Sequence, residues 1–97
     1  MARVVLASAL ARWLPANGGA SREVVLDDVP GARLDQVLEA LFAQYPSLRG
    51  YVLDERGAVR HHVALFVDGA AIADKRAPNQ PLGAAAEVYV MQALSGG

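Results

Sequence analysis

Leu34-Asp35-Gln36-Val37-Leu38-Glu39-Ala40-Leu41-Phe42-Ala43-Gln44-Tyr45-Pro46 decides the fold. Leu34, Val37, Leu38, Leu41, Phe42 and Tyr45 recur at i, i+3, i+4, i+7, i+8 and i+11, on one face of a helix of about three turns. Asp35, Gln36, Glu39 and Ala43 take the other face. Pro46 ends the pattern, because a residue before proline is pushed out of the helical region. At the start, Gly31 or Ala32 stands where Ser, Thr or Asp would cap best. An apolar stripe of this kind has to be covered by another layer.

The flanking sequence offers strands for that layer. Arg3 to Ala7 is rich in β-branched residues, and a period of two puts Val4 and Leu6 on one face and Arg3 and Val5 on the other. Arg22 to Asp27 is the next strand, with Val24 and Leu26 together, and Asp27 to Gly31 breaks it. Pro15 to Ser21 lies between them and is turn chemistry, so residues 3–8 and 22–27 form an antiparallel hairpin with a long connection. Trp13 and Leu14 pack under it. After the helix, Leu48 to Gly57 reads as irregular, with a short strand at Tyr51-Val52-Leu53 and a turn at Asp54 to Gly57. Arg60 to Val67 is a strand with Val63, Leu65 and Val67 on one face and His62, Ala64 and Phe66 on the other. Asp68-Gly69 is a tight turn, Ile72 plugs the core, and Asp74 to Pro81 is loop. The last strand runs from Val88 to Met91. This order gives an α+β roll of four or five strands with one main helix across one face. The opposite face would show Phe66, Tyr89 and Met91, unusually apolar for a solvated surface.

Composition bounds the rest. Ninety-seven residues make one domain. The 54% apolar fraction includes 19 Ala, but 12 Val and 12 Leu still suffice for a core. The formal charge of −1 comes from scattered charges, so neither a nucleic-acid surface nor an acidic arm is indicated. The chain has no Cys, which excludes disulfides and thiolate chemistry. No apolar run approaches the roughly 20 residues of a membrane span. Val4 to Ala11 also has the look of a short signal peptide, but Arg12 ends the run and the strand reading is preferred, so the expected location is the cytoplasm.

Catalytic constellations are missing from the sequence. His61 and His62, as strand neighbours, would point to opposite faces and share no metal. Asp27-Asp28 and Asp54-Glu55 read as turn residues, Gly18-Gly19 has no P-loop pattern after it, and Ser8, Ser21, Ser47 and Ser95 lack a base and its orienter. The chain is therefore not expected to be an enzyme or to hold a cofactor or metal of its own.

The remaining feature is Ala93-Leu94-Ser95-Gly96-Gly97. One reading is a frayed end. The other is a thread: residues without a Cβ pass a channel that side chains would block, and five extended residues reach on the order of 15 Å. What such a thread delivers is the α-carboxylate of Gly97, which adenylation would turn into an acyl donor. The physics leaves these two readings level.

Three segments together resemble the β-grasp sulfur carriers of the ThiS and MoaD type and, more distantly, ubiquitin-like modifiers. They are Leu34 to Pro46 for the helix, Val63-Ala64-Leu65-Phe66-Val67-Asp68-Gly69 for a strand and turn, and Glu87-Val88-Tyr89-Val90-Met91-Gln92-Ala93-Leu94-Ser95-Gly96-Gly97 for the last strand and Gly-Gly. The chain departs from that pattern at Ala85-Ala86, where Gly-Asp is usual, and near Arg33, where Thr is usual.

The resemblance implies a β-grasp domain over residues 1–92 and a flexible tail over 93–97. It implies that the Gly97 carboxylate, with Gly96 behind it, is adenylated by a MoeB- or ThiF-type enzyme using ATP. The resulting thiocarboxylate would then give its sulfur to a biosynthetic enzyme. Phe66, Tyr89, Met91 and Leu94 would form the partner surface of a carrier that is monomeric when free. The alternatives are a modifier joined through Gly97 to lysines and a plain interaction module.

Overall fold

The computed structural model describes residues 1–7 and 23–92. The turn at 15–21, the packing of Trp13 and Leu14, and the site residues Leu94, Gly96 and Gly97 lie outside the described residues.

Five strands form one mixed sheet in the order β2-β1-β5-β3-β4. They are β1 (Ala2–Leu6), β2 (Val24–Val29), β3 (Val63–Val67), β4 (Ala70–Ala71) and β5 (Glu87–Gln92). β1 pairs antiparallel with β2 and parallel with β5. β3 pairs antiparallel with both β5 and β4. This is the α+β roll expected from the sequence, a β-grasp, with helix α1 (Leu34–Gln44) packed on the sheet.

Leu34, Val37, Leu38, Leu41 and Phe42 of α1 are buried against Val4, Leu6, Leu65, Val88 and Val90 of the sheet. Each such side chain contributes about 1.5–3 kcal/mol of hydrophobic stabilisation, before the entropy of ordering it. Arg33 is the N-cap and its side chain has no acceptor to offer. Gln36 closes the end instead: its Oε1 accepts the amides of Ala32 at 2.8 Å and Arg33 at 3.1 Å. Gly31 precedes the cap with φ +139° and crowds Val37.

The structure corrects the sequence reading at three places. The first is β2, which does not break at Asp27 but runs to Val29. A step of two residues on β1, Ala2 to Val4, meets a step of three on β2, Leu26 to Val29. That is a β-bulge, and Asp28 takes the left-handed conformation in it, φ 57°. The extra residue reverses the alternation, so Val29 returns to the core face and is 1% exposed.

The second correction concerns Tyr51-Val52, which is helical. Pro46–Leu48 forms a 3₁₀ turn and Arg49–Val52 a short helix, α2. Pro46 stops α1 yet opens the next turn, where its missing N–H is harmless. Helical spacing places both Leu48 and Val52 in the core, and this burial overrides the strand preference of Tyr and Val. The third is that β3 starts at Val63, leaving His61 and His62 in a turn. Their rings meet edge to face at 5.9 Å, and His62 also meets Tyr51 at 5.0 Å, so they do not lie on opposite faces. Among the described residues no three His, Cys, Asp or Glu side chains cluster as a metal site.

The Asp68-Gly69 turn is tight as expected, with φ 51° and 86°. Ile72 packs at the core edge. Among the described residues, no helix is long and apolar enough to cross a membrane.

Candidate functional site: the outer face of the sheet

The sheet face turned away from α1 carries one row through all five strands. Val25 stands opposite Val5, Val5 opposite Tyr89, Tyr89 opposite Phe66, and Phe66 opposite Ala71. Met91 lies one rung further along β5, opposite Ala64. Cross-strand neighbours on one face stand within side-chain contact, so the register alone brings Phe66, Tyr89 and Met91 together. All three are half-buried, and with Gly69 and Glu87 they line a shallow, mainly apolar depression.

The alternation already set Val5 on this face, and Val25 is the member of the row not named in the sequence reading. Val5 is 5% exposed and Val25 is 46% exposed. The signal for them was the alternation itself, which sets Val5 opposite in phase to Val4 and Leu6. Val25 follows by the same count from Val24 and Leu26.

Polar groups border the row. The Tyr89 hydroxyl donates to the Glu23 carboxylate. That bond, helped by some desolvation and by the negative charges of Glu23 and Glu87, raises the phenol above its ordinary value. Arg3 Nε donates to Asp27 Oδ1 at 2.9 Å across the bulge. The Asp68 carboxylate accepts the Glu87 amide at 2.9 Å, and the Asp68 amide donates to the Glu87 carbonyl at the same distance. These reciprocal bonds join the β3–β4 turn to the start of β5. Just before it, the turn through Ala85 closes with Ala86 buried and its amide bonded to Gly83.

A second depression lies between α1 and the 54–57 turn. Asp35, Glu39, Arg49, Asp54 and Arg56 line it. Its charges are mostly spoken for. Arg33 pairs with Asp35 and Arg49 with Glu39, and the hydrogen bond in each pair is the main cause that holds the carboxylate below its ordinary value. Asp54 is held low by the amides of Ala58 and Arg56. The arrangement is that of a charged surface closed on itself.

The architecture is a ubiquitin-like β-grasp, the fold that the resemblance implied. Its likeness to particular proteins lies in structure. The crystal structure of SAMP1 from Haloferax volcanii superposes with a TM-score of 0.68 at 26% identity, covering 99% of this chain and 98% of that one. The solution structure of small archaeal modifier protein 1 from Methanosarcina acetivorans gives 0.64 at 22% identity, over 100% and 98% of the two chains. A chain of the Amycolatopsis orientalis BexX/CysO complex gives 0.68 at 12% identity, over 97% and 99%. No protein-family model matches the sequence, and no curated protein matches it.

Proposed function

We propose that the chain is a sulfur carrier whose working group is the carboxylate of Gly97. A MoeB- or ThiF-type partner adenylates it with ATP, a sulfur donor converts it to a thiocarboxylate, and a biosynthetic enzyme takes the sulfur. The carrier itself supplies no cofactor and no catalytic side chain, and it works as a monomer in the cytoplasm. Residues 1–92 hold and present the tail of residues 93–97.

One observation carries this reading. The half-buried apolar surface of Phe66, Tyr89 and Met91 is centred on β5, the strand that leads directly into Ala93 to Gly97. A partner docked there would stand beside the base of the Gly-Gly thread. Aromatic and Met side chains are the types enriched in the cores of protein interfaces. The likeness to a chain of the BexX/CysO complex adds support, because a protein of the same fold stands there in a two-protein assembly.

The test is intact mass spectrometry after incubation with a cognate activating enzyme, ATP and a sulfur donor. The expected product gains 16 Da, oxygen replaced by sulfur at the terminus (about 32 against about 16). A wild-type chain that stays unmodified, like one lacking Gly97, sinks the proposal. Phe66→Glu or Met91→Glu weakens binding to that enzyme by about tenfold or more, with the helical circular dichroism unchanged. Loss of the dichroism would assign these residues to the core instead.

The second reading is a protein modifier joined through Gly97 to lysines. The likeness to two small archaeal modifier proteins across nearly the whole chain favours it. Lysine-linked adducts of higher mass in cell extract would distinguish it from a pure carrier.

A further inference from the structure

Lys75 is the only lysine in the chain, and the other eight cationic side chains are arginine. It does not project freely. Its Nζ donates to the carbonyl of Val63 at 2.6 Å in a part-buried setting. Its own carbonyl accepts the Val59 amide at 2.7 Å, so the residue is tied at both ends. Val63 is fully buried and is the first residue of β3. It stands opposite Gln92, the last residue of β5.

We propose that Lys75 serves as a bolt at this end of the sheet and is thereby withdrawn from acylation, so that the chain gives away an activated acyl group without receiving one at lysine. The proposal rests on the adenylated Gly97 terminus argued above. In the reaction that would compete with transfer, an amine lone pair attacks the Gly97 carbonyl carbon of a second copy. A C–N bond forms, the C–O bond to the adenylate phosphate breaks, AMP leaves with the electron pair, and the amine proton passes to water. A thiol would do the same and give a thioester, but the chain contains no Cys.

Arginine carries the positive charge without this hazard, because its guanidinium stays protonated and offers no lone pair. The amine of Lys75 must first leave the Val63 carbonyl before it can attack. That departure removes a hydrogen bond from buried Val63 at the start of β3, opposite Gln92, the last residue before the tail.

The proposal can be tested without any activating enzyme. The folded chain and the chain in denaturing urea are treated with N-hydroxysuccinimidyl acetate, and acetylation of Lys75 is followed by peptide mass spectrometry. Lys75 in the folded chain is expected to react about tenfold more slowly than in urea, after correction for the reagent's own reactivity in urea. Equal rates overturn the proposal while leaving the carrier reading untouched. With activating enzyme and ATP, the adenylated wild type is expected to yield no Gly97–Lys75 linked dimer, and recovery of that dimer also overturns it. Failure to adenylate at all would count against the carrier reading, and the acetylation rates would still decide the role of Lys75.

Discussion

At Gly31 an added Cβ would stand 2.8 Å from the Val37 amide nitrogen and 2.9 Å from its Cγ2, in a backbone at φ +139°. Both contacts are to the first turns of α1, so the neighbour cannot give way without moving the helix. Gly31→Ala is expected to cost about 1–3 kcal/mol, read as a lower urea midpoint with the slope unchanged. Tyr89 offers a second residue-level test. Its phenol is raised by the bond to Glu23, so the folded state holds that proton more tightly than the unfolded state does. This stability is fully present below the ordinary tyrosine range and is lost as pH rises through the folded value. Glu23→Gln is expected to bring the Tyr89 titration down toward the ordinary range, seen in the ring-carbon shifts of Tyr89 by NMR. An unchanged titration would mean that the bond is absent in solution.

Among the elements, β2 and α2 show where the sequence was legible and where it was not. The α1 stripe could be read because its spacing is carried by six large apolar residues in twelve positions, Leu34 to Tyr45. The Val63-Leu65 face of β3 was legible for the same reason. The bulge was not, because Asp27-Asp28-Val29-Pro30-Gly31 is good turn chemistry and nothing local shows that Val29 has a place in the core waiting for it. Tyr51-Val52 was misread because local preference favoured a strand, whereas the buried position of Leu48 four residues earlier required a helix. Phe66, Tyr89 and Met91 were legible as an outward set, yet the five-strand row they belong to depends on pairings between residues far apart in the chain.

The bulge also makes a sharp prediction. Asp28 sits at φ 57°, where a β-branched residue is strained, so Asp28→Val is expected to cost about 1–2 kcal/mol relative to Asp28→Gly. Equal thermal unfolding of the two variants would argue against the left-handed bulge.

Over the whole molecule, the charged groups set the response to acid. Asp35, Glu39 and Asp54 all have their carboxyl groups held below the ordinary range by hydrogen bonds in the folded state. Groups with depressed values stabilise the fold above their unfolded pKa, and that contribution fades as pH falls through the folded value. Stability is therefore expected to be flat near neutrality and to decline on the acid side, starting where free carboxylates begin to protonate, at about pH 4–5. Glu39 is exposed and Asp35 and Asp54 are partly exposed, so the decline is shallow and is reduced further by salt. Chemical denaturation at several pH values measures it. A rise in stability on acidification would contradict these pairings.

The place of β5 between β1 and β3 has a consequence for how the protein comes into being. The two hairpins, β1 with β2 and β3 with β4, share no ladder except through residues 87–92. A nascent chain halted before Glu87 would have two half-sheets with raw edges and an uncovered apolar face on α1. The strand that completes the sheet is also the one that leads into Ala93 to Gly97. The sheet is therefore completed only once residues 87–92 have left the ribosome, and until then the two hairpins have no ladder between them.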